Sequence, residues 1–181
     1  MPVRVDEVIG KYVVTSDAFI LGTVQDFRCE SLGWTILGIK MKMASGMPAV
    51  VGGKSVSLLE PGNYSINDVV LIKMSTDGVR SKLTQDDSGL LSLTSMVGMK
   101  VYSSDATLIG TIESFEINCN TWKVLSMIIK MDKTAYDALE VRKGLRAKRI
   151  SGIKMSEVQA VNDSIILRSD VQKIKSQMVI S

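Results

Sequence analysis

The chain has 181 residues, a formal net charge of +3 and 45% apolar residues, which places it among ordinary folded proteins and away from disorder. It contains no histidine and only two cysteines, Cys29 and Cys119, so the commonest general base and the usual zinc ligand sets are missing. No catalytic, cofactor or metal-binding motif is present, and the small net charge does not announce a nucleic-acid binder.

In chain order, the N-terminus MPVRVDEVIGKYVV has no long apolar stretch, so it does not read as a signal peptide. No apolar run approaches the ~18 residues of a membrane span. The expected location is the cytosol, with any membrane role indirect. The cysteines read most simply as reduced, half-buried thiols.

Gly10–Val14 is a short β-rich run, followed by the turn phrase Ser16-Asp17-Ala18. A strand from Gly22 leads to Phe27, and its apolar spacing from Val24 to Phe27 is three rather than two, which predicts a bulge. Trp34 opens the next strand, in which Leu37, Ile39, Met41 and Met43 alternate with Gly38, Lys40 and Lys42. That period predicts one face on a core, so the methionines read as core rather than as an adaptable groove. Met47 to Val51, between glycines, is an uncharged apolar stretch. It reads equally as a loop over the domain and as a docking patch with Met47, Val50 and Val51 as contacts. A closing strand is predicted over Val69–Met74.

The same text then returns. Ile9–Met43 aligned with Val97–Met131, at an offset of 88, gives 12 identities in 35 positions without a gap. About two are expected between unrelated stretches, so the chain is an internal duplication. By Ile165-Ile166-Leu167, which matches Leu71 and its neighbours, the offset has grown to 95, so the second copy carries seven extra residues. The basic stretch around Arg142, Arg146 and Arg149 is the expected place. Residues 84–89 have linker composition, giving domains 1–84 and 90–181. Short strands, turn residues and little helix outside a C-terminal segment, Ser169–Val179, predict an all-β protein of two tandem small β-barrels.

Asp17 and its partner Asp105 fall in turns, and turn geometry explains them better than catalysis. Gly52-Gly53-Lys54-Ser55 lacks the spacing of a phosphate loop. The basic cluster reads as a solvated loop, an acidic-partner contact or an RNA grip; aromatic residues for base stacking are missing around it apart from Tyr136. Ile128 stands where the first copy has Lys40, on the outward parity of its strand, and so reads as a contact residue. The apolar tail Met178-Val179-Ile180 reads the same way.

The shared pattern, Val-x-x-Ser-Asp followed by Leu/Ile-Gly-Thr, Phe and Trp-x-Ile/Val-Leu, resembles the PRC-barrel family, and most closely its archaeal members over Met99–Asp105, Thr121–Val124 and Ser156–Val161. The first copy departs from it. Met47–Gly53 replaces the charged insertion, Glu60–Asn63 stands in place of Glu157–Val161, and alanine (Ala18, Ala106) replaces a turn glycine in both. The resemblance implies a non-enzymatic adaptor of archaeal cell division, working with SepF and the FtsZ ring, with no cofactor. It implies assembly with a second copy or a paralogous PRC-barrel. The rival it implies is a RimM-like role in ribosome maturation, with RNA as the partner.

Overall fold

The computed structural model describes residues 2–85, 87–141 and 149–180. The chain divides into two compact units. The first is Met1–Thr94 with Ile117–Val124; the second is Ser95–Glu116 with Leu125–Ser181. The duplication therefore does not set the units by itself: the tip of the second copy's longest hairpin folds with the first unit, where the sequence places domains at 1–84 and 90–181.

The first copy runs β1 (Pro2–Arg4), α1 (Val5–Val8), β2 (Tyr12–Val14), β3 (Ile20–Cys29), β4 (Ile36–Met43), α2 (Met47–Val51), β5 (Val56–Leu59), β6 (Tyr64–Ile66), β7 (Val70–Ile72), α3 (Thr76–Val79) and β8 (Leu83–Thr84), and β9 (Leu91–Ser92) follows. Its sheet has the order β6-β7-β2-β3-β4-β5-β8, with β9 added along the far end of β3. The second copy repeats the scheme as α4 (Leu93–Met96), β10 (Lys100–Tyr102), β11 (Leu108–Asn118), β12 (Lys123–Met131), α5 (Ala135–Ala138), β13 (Arg149–Lys154), β14 (Val158–Val161), β15 (Ser164–Leu167), α6 (Val171–Gln177) and β16 (Val179–Ile180). Its order is β14-β15-β10-β11-β12-β13-β16. The protein is mostly β, with two multi-stranded sheets. Among the described residues neither sheet closes: β6 and β8 do not pair, nor do β14 and β16.

Single-turn helices recur at matching places, α1 with α4 and α2 with α5 at an offset of 88. Helix accounts for 20% of the described residues, more than the sequence suggests, because a single turn is too short to show a 3.6-residue period. The expected C-terminal helix is present as α6, with Val171 and Ile174 buried, and Asp170 caps it by accepting from the Lys173 backbone N–H at 2.8 Å.

The predicted bulge lies in β3. Val24 pairs with Met41 and Asp26 with Lys40, so Gln25 is the extra residue. The slip lets Val24 and Phe27 both face the core, at 1% and 0% exposed. A second slip, at Cys29, throws Leu37 out of the ladder. It is 47% exposed, while Ile39, Met41 and Met43 are buried as the alternation predicts.

Other expectations need correction. Ile128 is 5% exposed, and Ser126, Met127 and Ile129 around it are also buried. Alternation separates two faces but does not say that the second one is wet. The apolar tail forms a strand, with Val179 and Ile180 pairing with Ser151 and Ile150, and the Val179 side chain stays 61% exposed. The first-copy counterpart of Val158–Val161 is Tyr64–Ile66, each pairing with the strand that follows, and not Glu60–Asn63.

Gly22 and its counterpart Gly110 sit where β3 and β11 press on the next strand: a Cβ at either would lie 2.1 Å from the Lys42 or Lys130 carbonyl oxygen. Ala18 and Ala106 hold φ of 65° and 63° in their turns, where a side chain is strained. Gly22→Ala should therefore destabilise by about 3 kcal/mol. Ala18→Gly should stabilise by up to about 1 kcal/mol. Thermal melts of the two variants moving in the same direction would contradict this account of the repeated phrase.

Candidate functional site

Three elements place the site. The β2–β3 hairpin turns through Ser16–Phe19, closed by Thr15 N–H to the Phe19 carbonyl at 3.0 Å. The strand β7 then returns parallel to β2, with Val13 opposite Val70 and Val14 opposite Leu71. This parallel contact is held at its end by Asp17, whose carboxylate accepts from the Thr76 N–H and hydroxyl at 3.1 Å each and so caps α3. Hydrogen bonding, first from Thr15 and then from Thr76, holds the Asp17 carboxyl below its ordinary 3.8. Asp105 accepts from the Ser103 hydroxyl at 2.5 Å in the corresponding turn.

This register lines up one residue from each of four strands on the outward face. Ser65 lies opposite Leu71, Leu71 opposite Val14, and Val14 opposite Ile20. Leu71 is 37% exposed and Ile20 47%. Tyr12, on the same parity of β2, is also exposed, as is Phe19 in the turn. The inward parity, Val13, Val70 and Ile72, is fully buried. The second unit repeats the row: Ala160 opposite Ile166, Ile166 opposite Tyr102, and Tyr102 opposite Leu108, with Ile166 exposed. Neither row falls among the contact residues expected from the sequence. Their signal is the unbroken apolar runs Val69-Val70-Leu71-Ile72 and Ile165-Ile166-Leu167, which lack the polar alternation of a strand with one wet face.

The sequence-derived contact residues do not gather here. Within α2, Val50 is exposed, Met47 partly covered and Val51 buried, because one helical turn sends adjacent residues to opposite sides. Arg149 is engaged by Glu113, with Nη2 donating to Oε1 at 2.8 Å and Nε donating to the second oxygen. Arg142 and Arg146 lie outside the described residues. Ile128 is buried, as noted.

A hollow of about 340 Å3 in the first unit is lined by Gly62, Asn63, Tyr64, Cys119, Asn120 and Trp122. It is built by Trp122, whose indole N–H donates to the Gly62 carbonyl at 2.9 Å and whose ring meets Tyr64 edge-on at 5.8 Å. Tyr64 is pushed up to about 12 by burial and by Glu60, and burial raises the Cys119 thiol. Neither group is poised for proton transfer near neutral pH. Both cysteines are free; Cys29 is fully buried and Cys119 partly so. Among the described residues no cluster could hold a metal ion, and no helix is long and apolar enough to cross a membrane.

Trp34 and Trp122 adopt φ of 53° and 51° and are 8% exposed each. Within the first unit they exchange bonds around the Thr35–Lys123 bridge: Ile36 N–H donates to the Trp122 carbonyl at 2.7 Å, and Val124 N–H donates to the Trp34 carbonyl at 2.8 Å. Asp26, 4% exposed, ties β9 to β3. Its carboxylate accepts from the Ser92 hydroxyl at 2.6 Å, the Thr94 N–H at 2.9 Å and the Phe27 N–H at 2.8 Å, and it pairs with Arg28 at 3.4 Å.

No protein-family model matches the chain, and no curated protein matches it. The PRC-barrel resemblance thus stands on the residues quoted for it.

Trp122→Ala should destabilise by about 3–5 kcal/mol by emptying a packed site, and Asp26→Ala by about 1–3 kcal/mol by leaving the Thr94 and Phe27 N–H groups and the Ser92 hydroxyl without their acceptor; an unchanged urea midpoint in either would refute its role. Alkaline pH should act through Cys29, held at about 12 by burial, then Asp26 and Glu30, and through Tyr64. The unfolded chain releases these protons from 9.0 and 10.0, the folded chain near 12. Stability is thus complete below pH 9 and declines as the pH rises toward 12. Urea midpoints measured from pH 8 to 11 check the sign.

Proposed function

We propose that the protein is a non-enzymatic adaptor: two PRC-type β units in tandem that hold partner proteins on their outer faces. The single observation that carries this is the outward apolar row on β7, β2 and β3, repeated on β15, β10 and β11. Exposed apolar surface in a strip of adjacent strands favours docking. The barrel type of each unit is part of the same reading, supported by the bulged long strand and the parallel return of the closing strand. The setting suggested by the PRC-barrel resemblance is archaeal cell division, with a SepF-like protein among the partners and recruitment to the division site through it. Of the basic cluster behind the RNA reading, Arg149 is engaged by Glu113, and Arg142 and Arg146 lie outside the described residues.

The test is affinity capture of the tagged protein from its own cells at physiological salt, with and without nuclease. Division proteins should be retained after nuclease treatment and lost from a Leu71→Asp, Ile166→Asp double variant that melts like the wild type. Capture of ribosomal particles that nuclease abolishes would overturn the adaptor reading.

A further inference from the structure

The sheet of the first unit ends on β6, which pairs with β7 on one side and, among the described residues, with no strand on the other. The register decides which backbone groups face that open side. The Asn67 N–H donates to the Val69 carbonyl, and Ser65 lies opposite Leu71. The alternation of an antiparallel pair therefore turns the backbone groups of Ser65 and Asn67 toward β7, and those of Tyr64 and Ile66 outward. The Tyr64 N–H is taken by the Gly62 carbonyl at 2.9 Å. The Ile66 N–H, the Ile66 carbonyl and the Tyr64 carbonyl are left for a strand laid alongside. Such an edge is commonly guarded by a charge, a proline or a bulge. The matching edge of the second unit, β14, has its register slip between Val158 and Ala160. The strand β6 reads Tyr-Ser-Ile, pairs without a slip and carries none of the three guards.

The hollow beside Trp122 adjoins the start of this edge, since Tyr64 belongs to both. Residues directly opposite each other in paired strands carry their side chains on one face. A residue of an added strand opposite Tyr64 therefore points to the side of the Tyr64 ring, where the Trp122 ring stands edge-on. The polar tips of both rings are already used: the Trp122 indole donates to the Gly62 carbonyl and the Tyr64 hydroxyl to the Glu60 carbonyl. The rings thus give the hollow an apolar floor. Its described lining holds no charged side chain, so a charged group entering it would lose hydration with nothing to offset the loss. At about 340 Å3 it has room for one large side chain. The exposed Asn63 and Asn120 in its wall offer donors and acceptors to the main chain of the same segment.

We infer that β6 takes an extended segment of a partner protein as an added strand, and that the hollow receives one large uncharged side chain of that segment. Main-chain bonds to Ile66 and Tyr64 supply affinity, and the hollow selects the side chain. The surface is the edge of the sheet and not its outward apolar row, so the inference does not rest on the adaptor reading. Three backbone groups make a short edge, and an isolated segment should bind with a Kd on the order of 0.1–1 mM.

Titration of the nitrogen-15-labelled protein with a capped pentapeptide, acetyl-Thr-Val-Phe-Val-Thr-amide, tests it by NMR. The Trp122 indole N–H and the Ile66 amide should shift together and saturate. Alkylation of Cys119, which lines the hollow, should slow in step, with Cys29 buried and silent. The same peptide with a central lysine should bind about tenfold more weakly or worse. Ile66→Pro removes the outward N–H at an edge position that tolerates proline, and should weaken the phenylalanine peptide by about fivefold or more. Asn120→Asp tests the hollow independently of the edge: a carboxylate in its wall should reverse the preference between the two peptides. Both variants should melt with the wild type by circular dichroism. No shift at about 5 mM peptide, well above the weakest expected Kd, would overturn the inference. So would an Ile66→Pro variant that binds as tightly as wild type, or an Asn120→Asp variant whose preference is unchanged. The same signals moving on dilution of the protein alone would assign the edge to a second copy and overturn it equally. A protein that ignores the peptides yet still captures division proteins would refute this inference and spare the adaptor reading; one that binds the peptides and captures nothing would do the reverse.

Discussion

The parallel pairing of β2 with β7, Val13 to Val70 and Val14 to Leu71, is the constraint on which the functional account depends. Adjacent antiparallel strands reverse the chain, whereas these two run together although 50 or more residues separate them. Their outward residues therefore fall into one row. The carboxylate of Asp17 holds that return in place by capping α3, so a turn residue serves the geometry of a surface and not a reaction. The same parallel pairing recurs between β10 and β15. One local device thus yields two outer rows, and duplication supplied the second without new invention.

The remainder of the first unit keeps the reverse side of that face packed. Gly22 lets β3 approach β4 closer than any side chain would allow. The slip at Gln25 turns Phe27 inward. Asp26 uses the neighbouring position for a buried carboxylate that fastens β9. In the second copy position 114 is serine, so the carboxylate itself is not repeated on β11. The left-handed tryptophans complete the unit by carrying backbone bonds in both directions around Thr35 and Lys123. Strain at two bulky residues persists only where the surroundings fix it, and buried rings with paired carbonyls provide that.

How much was legible in the sequence depended on how local the signal was. The duplication, the strands, the bulge and the C-terminal helix all come from short-range patterns and stand in the structure. The alternation in Ile36–Met43 read correctly for Ile39, Met41 and Met43 but failed at Leu37, because the second slip is a property of the pairing and not of one strand. Ile128 failed for a different reason: a strand pattern reports which residues share a face, not what covers it. The docking row was visible as the unbroken apolar runs Val69–Ile72 and Ile165–Leu167. Its meaning depended on knowing that Val14 and Leu71 become neighbours, which no window of sequence contains. Val50 and Val51 show the same limit within a single turn of helix.

The central claim is that this outer face is where the protein is met by another. Methyl resonances of the 19.7 kDa chain, followed as a SepF-like division protein is added, test it most directly. The account predicts shifts at Val14, Ile20 and Leu71, with the inward-facing Val13, Val70 and Ile72 far less affected. Shifts centred instead on Val50 or Val179 would contradict it.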